Sequence, residues 1–249
     1  MKISAIILAK NEEQVIADCI DSVSFCDQII VVNNNSTDRT LEIAKRTKAE
    51  VITCDDTDFS ILRNKGLEKA KNEWVLYVDA DERISKELAH EIEQKTKVYI
   101  DINYYLLPRK NFYLGNHPWP KIEYMPRLFK KVALKGWMGK LHESPQVSGR
   151  QDVCVHFLLH FTHRNLSEML EKTIIWSEIE AALRYKANHP RVTWWRFPRV
   201  MIPTFFTYYV SQKGYKAGTV GLIESIYQSF SIFITYARLW EMQQKQLKK

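Results

Sequence analysis

Four short, mostly apolar runs in the first third of the chain are each followed by polar residues. They lie at 3–8, 29–32, 50–54 and 74–78. Between them, helices are predicted over about 15–23, 37–45 and 59–71. Buried strands that alternate with helices predict βαβ units around a parallel sheet. Ser36 or Thr37 is the expected N-cap of the second helix.

The fourth apolar run delivers two carboxylates, Asp79 and Asp81, to the point where a strand should end. In an open parallel sheet, ligands bind in the crevice beyond the carboxyl ends of the strands. Two hard oxygen donors at that place suit a divalent cation, Mg²⁺ or Mn²⁺, that also holds phosphates. The pattern therefore predicts a metal-assisted site for a nucleotide diphosphate. The alternative is that both aspartates cap a helix that begins near Ser85.

Three further motifs accompany Val78-Asp79-Ala80-Asp81-Glu82 in a fixed order. They are Ile7-Leu8-Ala9-Lys10-Asn11-Glu12, Val31-Val32 with Ser36-Thr37-Asp38, and Asp58-Phe59 with Arg63-Asn64. With these four motifs the chain resembles the family 2 glycosyltransferases. It is most similar to the branch that adds glucose to the heptose of the lipopolysaccharide or lipooligosaccharide core. The resemblance extends through Arg127-Leu128-Phe129, Leu141-His142-Glu143 and Tyr236–Glu241.

The resemblance implies an α/β fold of the glycosyltransferase A type, with a Rossmann-like, mostly parallel sheet flanked by helices. It also implies an inverting, metal-dependent hexosyltransferase that moves a sugar, with glucose expected, from a UDP-sugar to a lipid-linked oligosaccharide. Three parts are expected along the chain. Residues 1–95 form the nucleotide-sugar-binding half, 96–165 the acceptor-side half of the same catalytic domain, and 166–249 a helical, membrane-associating extension.

On the donor side, the resemblance makes Asp81 a metal ligand and Asp79 a ribose contact or second metal ligand. The nucleoside pocket is expected to be lined by Ala9, Asn11, Glu12, Asn33, Asn34 and Arg63. Locally, Arg63 also fits a surface arginine and Glu12 a first-turn carboxylate. Relatives usually carry an acidic residue where this chain has Asn33-Asn34-Asn35. An asparagine carbonyl still accepts a hydrogen bond from uracil, so uridine is expected and another nucleotide stays an alternative.

On the acceptor side, Glu143 matches the family position of the general base, with Glu123 and His142 as rivals. A purely structural role for both glutamates stays open. Further acceptor-side candidates are Trp119, Trp137, His142 and His160, although either tryptophan also suits a core position. A zinc site at His156 and His160 is the less favoured alternative to a buried strand.

The net charge of +7 is concentrated at one end of the chain. Residues 184–249 hold eleven Lys or Arg against Glu224 and Glu241. The tail also carries uncharged runs at 200–212 and 225–237, thirteen residues each, where a bilayer span takes about 20. Basic residues beside aromatic ones favour helices that lie in an anionic membrane interface. Packing on the catalytic domain is the main alternative, and nucleic acid is not expected as a partner.

Four scattered cysteines without metal-ligand spacing favour a reduced chain. Because the chain begins directly with a strand in place of a signal peptide, we expect a cytoplasmic protein, peripheral on the inner face of the cytoplasmic membrane. Two other classes stay open. A nucleotidyltransferase-like enzyme would carry a glycine-rich loop after the first strand, and this chain has no glycine there. A catalytically silent membrane adaptor would keep the same fold.

Overall fold

The computed structural model describes residues 2–98, 101–139 and 143–247. The chain divides into two compact units. The first comprises Met1–Lys110 and Ile122–His160, and the second comprises Asn111–Lys121 and Phe161–Lys249. The functional division at residues 95 and 165 stays a prediction.

The described elements alternate between strands and helices in the first part of the chain and are helical in the last part. The strands are β1 Ile3–Ala9, β2 Gln28–Asn33, β3 Glu50–Thr53, β4 Trp74–Asp79, β5 Glu82–Ile84, β6 Tyr104–Tyr113, β7 His117–Pro118, β8 Glu123–Lys130, β9 Leu134–Met138, β10 Ser144–Val147, β11 Gln151–Val153 and β12 Leu158–Phe161. The helices are α1 Ile16–Ser22, α2 Thr40–Lys45, α3 Phe59–Lys69, α4 Lys86–Lys97, α5 Leu166–Lys186, α6 Arg196–Phe206 and α7 Gly218–Leu247. Short helical turns lie at Lys131–Ala133, Thr207–Ser211 and Gly214–Ala217.

The main sheet has the strand order β3-β2-β1-β4-β8-β6-β12-β5, with β1, β2, β3 and β4 parallel. Leu8 of β1 is in register with Val32 on one side and with Asp79 on the other. The loops that follow these three strands therefore open at the same edge of the sheet. The predicted parallel βαβ arrangement is confirmed, and β8 then adds to β4 in the antiparallel direction.

Strand β1 is buried along its whole length because helices cover both faces of the sheet. Ile3, Ala5 and Ile7 pack in one apolar cluster with residues of α1 and α4, whereas Ile6 and Leu8 pack in another with α3. Helix α3 approaches the sheet closely at Gly66, where an added Cβ would lie 2.4 Å from the Ile6 side chain. A continuous apolar run in the sequence thus corresponds to a strand buried on two sides.

Helix α2 begins three residues later than expected, at Thr40. The predicted capping role of Ser36 and Thr37 is wrong because both residues tie together the loops after β1 and β2. The Ser36 hydroxyl accepts a hydrogen bond from the Asn11 amide, and the Thr37 amide donates to Asn11 Oδ1. The amide of Thr40 is satisfied by Asp38 instead.

The second unit contains helices α5, α6 and α7. Its small core consists of Ala181, Val192, Tyr236 and Leu239, with Phe197 and Val200 of α6 packed against it. Helices α6 and α7 run antiparallel, because the Phe197 ring meets Phe233 and the Ser229 hydroxyl donates to the Met201 carbonyl. In the part of the chain that the structure describes, none of the helices has the length and hydropathy that a bilayer span requires.

Candidate functional site

The two aspartates predicted at the strand end lie at the start of a tight turn and within it, respectively. Asp79 is the last residue of β4, and the short strand β5 begins at Glu82. Helix α4 is capped by Ser85, whose hydroxyl accepts a hydrogen bond from the Leu88 amide at 3.2 Å. The alternative in which the aspartates cap this helix is therefore wrong.

Two buried arginines neutralise the carboxylate of Asp79. Its Oδ1 accepts a hydrogen bond from Arg63 Nη2 at 3.0 Å, and its Oδ2 accepts one from Arg127 Nη2. Burial alone would raise the pKa of Asp79, but the charges of Arg127 and Arg63 outweigh it and hold the pKa well below its usual range. Asp79 is therefore ionised at neutral pH.

A second carboxylate, that of the fully buried Glu82, holds the backbone of Asp79 in place. Glu82 accepts a hydrogen bond from the Asp79 amide at 2.9 Å through Oε2. Its Oε1 accepts from Arg127 at 2.8 Å and from Arg109 at 3.3 Å, and Arg109 also donates to Glu123 at 2.6 Å. The position of Asp79 is thus fixed through its backbone as well as through its side chain.

Arg63 joins Asp79 to Glu143, the predicted general base. Its Nε donates to Glu143 Oε1 at 2.8 Å, and its guanidinium lies 4.8 Å from the centroid of the Trp137 ring. Arg63 is only 4% exposed, so the interpretation as a surface arginine is wrong. Within the described residues, its buried Nη1 has no hydrogen-bond partner. That nitrogen is a donor available to a ligand.

The strand that precedes Glu143 is tied to helix α3 by Asn64. Its Nδ2 donates to the Trp137 carbonyl at 3.0 Å, and its Oδ1 accepts from the Trp137 amide at 2.8 Å. Gly136 has a φ of +146°, and a Cβ there would lie 3.0 Å from Asn64 Oδ1. Because Asn64 neighbours Arg63, one turn of α3 positions both the strand β9 and the Glu143 carboxylate. His142 lies outside the described residues.

Asp81 faces a histidine of the last strand of the main sheet. The Nε2 of His160 lies 3.3 Å from Asp81 Oδ2, because β12 pairs with β5 and places His160 opposite Glu82. The carboxylate suits Mg²⁺ or Mn²⁺, and a neutral imidazole is a common additional metal ligand. Within the described ranges no three His, Cys, Asp or Glu side chains form a metal-binding group. The two residues fit a cation whose other ligands are phosphate oxygens and water.

The zinc site considered at His156 and His160 is not formed among the described residues. His156 precedes β12 and is half-exposed, and its Nδ1 lies 2.9 Å from Glu91. His160 points to Asp81 instead, so the two histidines do not share a ligand position. The buried strand predicted over 155–161 is confirmed only in part. A strand forms at Leu158–Phe161, where only Leu158 is fully buried, whereas Val155 and Phe157 precede it and are exposed.

Five of the six predicted nucleoside-pocket residues lie where the first two parallel strands end, and the sixth, Arg63, lies beside Asp79 and Glu143 instead. The Ala9 carbonyl accepts from the Asn34 amide at 2.8 Å, and the Glu12 amide donates to the Thr40 hydroxyl at 2.7 Å. Asn11 adopts a left-handed backbone with φ of 54°, which aims its amide and side chain at the second loop. The two loops therefore form one connected rim at the carboxyl edge of the sheet.

Asn33 is the asparagine with an unfilled acceptor in this rim. It is the last residue of β2 and is buried, and within the described residues its Oδ1 has no hydrogen-bond partner. The Oδ1 of Asn34, by contrast, accepts from the Asp56 amide at 3.3 Å. Since an unpaired buried acceptor costs about 1–3 kcal/mol, Asn33 is suited to a ligand that brings an N–H group.

The structure buries both tryptophans that the sequence offered as sugar-stacking candidates. Trp137 packs edge-on against Tyr77 at 5.0 Å, and Trp119, in the second unit, packs edge-on against Tyr113 at 5.0 Å. Each ring is about 5% exposed or less, which matches the core-filling alternative. Glu123, the rival base, is paired with Arg109.

Glu82, Arg109 and Arg127 are the site residues that sequence reasoning left without a role. Glu82 and Arg127 stand in quoted motifs, but nothing in their local pattern indicates a buried ion network. The alternation of side chains along a strand could have indicated that Glu82 is buried. In a strand that begins at Glu82, residues 82 and 84 lie on the same face, and Ile84 is apolar. A charged side chain on that inward face requires charged partners.

The mixed sheet flanked by helices, with acidic residues at the end of β4, has the glycosyltransferase A-type fold. Residues 4–158 match the family described as "Glycosyl transferase family 2", so the chain belongs to that family. An uncharacterised glycosyltransferase of Rickettsia typhi is 27% identical over 98% of this chain and 88% of its own length. The glycosyltransferase SunS from a Bacillus subtilis prophage is 34% identical over 56% of this chain and 33% of its own.

A solved structure supports the fold. The S. aureus protein TarS, residues 1–349, determined in complex with UDP, superposes with a TM-score of 0.50 at 16% identity. The match covers 99% of this chain and 92% of that chain. The predicted fold class is confirmed.

Proposed function

We propose that this protein is an inverting, metal-assisted glycosyltransferase that moves a sugar, with glucose expected, from a UDP-sugar to a lipid-linked oligosaccharide of the lipopolysaccharide-core type. The observation that carries the proposal is the chain of ion pairs from Asp79 through Arg63 to Glu143. It joins the acidic strand end, where a nucleotide is expected, to a carboxylate suited to act as a base. A catalytically silent adaptor would have no need for this linkage.

The donor half of the mechanism rests on charge neutralisation. Asp81 and His160 would hold a divalent cation, which when bound supplies Lewis-acid stabilisation of the leaving diphosphate. Because both oxygens of Asp79 already accept from arginines, we assign it chiefly to the ribose, and its role as a second metal ligand stays a prediction. The unpaired Nη1 of Arg63 offers a hydrogen bond to a phosphate oxygen.

The acceptor half rests on Glu143. Arg63 occupies its Oε1, and within the described residues Oε2 makes no hydrogen bond, so Oε2 is the atom that takes the proton. As the acceptor hydroxyl loses its proton to Oε2, its oxygen bonds to the anomeric carbon. The bond from that carbon to the diphosphate oxygen breaks on the opposite face, and configuration inverts. No covalent enzyme intermediate forms, and a positioned base of this kind contributes about 10²–10⁴-fold to the rate.

The unpaired side-chain oxygen of Asn33 supports uridine as the base of the donor nucleotide. The ring N–H of uracil complements the unpaired Oδ1, whereas cytosine presents a lone pair at the same ring position. The UDP that accompanies the TarS structure is consistent with this choice at the level of the fold. A different donor nucleotide or acceptor is the second candidate function, because an asparagine here binds uracil more weakly than a carboxylate does.

Substitution of Asn33 tests the donor base. We expect Asn33→Ala to weaken UDP binding about 2- to 12-fold, which corresponds to one neutral hydrogen bond, and Asn33→Asp to strengthen it. CDP affinity should not rise in Asn33→Asp, because cytosine has no N–H to donate there. Calorimetric titration of each variant with UDP, CDP and GDP measures this. Tighter binding of GDP than of UDP by the unmodified chain would contradict the assignment of uridine.

For the acceptor we propose a lipid-anchored oligosaccharide presented at the inner face of the cytoplasmic membrane. The support is the family resemblance together with the concentration of basic charge in residues 184–249. Incubation of the protein with UDP-glucose and purified heptose-terminated lipooligosaccharide tests this part. Hydrolysis of UDP-glucose without transfer to that acceptor would keep the donor assignment and reject the acceptor.

A further inference from the structure

One helix of the second unit leaves a row of large apolar side chains uncovered. Helix α6 has no fully buried residue. Trp195, Ile202, Phe206 and Val210 recur seven or four residues apart, and each is more than half exposed. This spacing places them on one side of the helix and of the turn that continues it. Trp194, 67% exposed, stacks on Trp195 with ring centroids 3.9 Å apart.

The opposite side of α6 is the one that packs. Phe197 and Val200 contact the core of the second unit, and the Met201 carbonyl accepts from Ser229 of α7. The exposed apolar side chains therefore do not belong to the contact between α6 and the core of the second unit. Helix α7 adds exposed Leu222, Ile226 and Phe230 in the half that lies beside α6. An exposed apolar patch of this kind is typical of a surface that binds another protein or a membrane.

The charge around this row is of one sign. Residues 181–223 contain seven Lys or Arg and no Asp or Glu. Arg191, Arg199, Lys213 and Lys216 are exposed, and none of them has an ion pair with another described residue. Helix α5 offers a contrast: it also exposes Ile174 and Ile175, but it carries four glutamates. Apolar exposure on α6 thus coincides with uncompensated positive charge, and on α5 it does not.

We propose that the α6 face, formed by Trp194, Trp195, Ile202, Phe206 and Val210 with its flanking arginines and lysines, docks on an anionic lipid bilayer. Tryptophan is enriched at membrane interfaces because its ring is apolar and its N–H is polar. A helix with an apolar face and basic flanks lies in the plane of the headgroups. The proposal narrows the predicted membrane contact from the whole tail to residues 191–216, and its purpose rests on the lipid-linked acceptor proposed above.

Vesicle flotation of the full chain tests this docking surface. We expect binding to vesicles of phosphatidylcholine with phosphatidylglycerol and little binding to phosphatidylcholine alone. The variant Arg199→Gln/Lys213→Gln/Lys216→Gln should bind about 100-fold more weakly, since each basic group near an anionic surface contributes about 1 kcal/mol and 1.4 kcal/mol is tenfold. Ile202→Ser/Phe206→Ser should also reduce binding. The matched control is Ile174→Ser/Ile175→Ser on α5, which should bind as the unmodified chain does.

Tryptophan quenching by brominated lipids gives a second readout that does not depend on affinity. Quenching should fall in Trp194→Phe/Trp195→Phe while flotation persists, because phenylalanine keeps the apolar contact. Equal loss of binding in the α5 control, or no binding to anionic vesicles, would overturn the proposal. So would a dimer or a nucleic-acid complex that the α6 variants abolish without any vesicle binding. Flotation needs no sugar transfer, so failure of the proposed activity is recorded separately by the UDP titrations.

Discussion

Replacing Glu143 by glutamine should lower the rate of sugar transfer by about 10²- to 10⁴-fold while leaving the affinity for UDP unchanged. Glutamine keeps the shape of the side chain, and its Oε1 still accepts a hydrogen bond from Arg63 Nε. Only the capacity to take a proton from the acceptor hydroxyl is lost. Steady-state kinetics should therefore show a fall in kcat with little change in the KM for the donor.

The control for this variant is Glu123→Gln. Glu123 is paired with Arg109 and is the rival candidate for the base. We expect this substitution to change kcat by less than about tenfold, which is below the contribution of a positioned base. If Glu123→Gln abolished transfer and Glu143→Gln did not, the roles of the two glutamates would be exchanged.

The second large effect concerns stability. Arg127→Met should lower the free energy of unfolding by about 3–5 kcal/mol, because it leaves Glu82 buried without one of its two arginine partners and removes one partner of Asp79. Urea denaturation measures this loss. Arg46→Met is the matched control, since Arg46 is mostly exposed and pairs with Glu42 at the surface. That substitution should cost less than about 1 kcal/mol.

The pH dependence of unfolding provides a further readout on the same variant. The folded-state pKa of Asp79 is depressed, so its stabilising contribution is complete above its unfolded pKa of about 4 and is lost as pH falls further. Arg127→Met should show a shallower decline in that acidic range, because Asp79 loses one of the two charges that lower its pKa. A loss of stability under about 1 kcal/mol with an unchanged pH profile would contradict the account of the network. The double variant Glu82→Gln/Arg127→Met, which removes the buried charge, should recover part of the loss.

The parallel half of the fold could be predicted because its pattern is local. Strand β1 is apolar except for Ser4 because it is buried on both faces, and the central residues of its neighbours β2 and β4 are apolar for the same reason. The positions of Asp79 and Asp81 follow from the end of β4 alone. The predicted start of α2 was wrong, because Ser36 and Thr37 form hydrogen bonds with Asn11 in the loop after β1 instead of capping the helix.

The ion network could not be predicted because it depends on antiparallel pairing between strands distant in sequence. Glu82 meets Arg109 and Arg127 because β5, β6 and β8 share one sheet in an order that no periodicity reveals. The same holds for Asp81 and His160, which are close because β12 returns beside β5. Residue type indicated which side chains carry chemistry, and long-range pairing decided which of them meet.

Calorimetric titration with UDP most directly tests whether Asp81 belongs to a metal-assisted nucleotide site. We expect UDP to bind in the presence of Mn²⁺, to lose affinity when EDTA is added, and to bind Asp81→Asn weakly in either condition. The matched control is Asp152→Asn, because Asp152 lies on β11 and its carboxylate pairs with Lys95 of α4. This variant should bind UDP as the unmodified chain does. Metal-independent binding of equal affinity in Asp81→Asn, or no binding of any nucleoside diphosphate, would contradict the account.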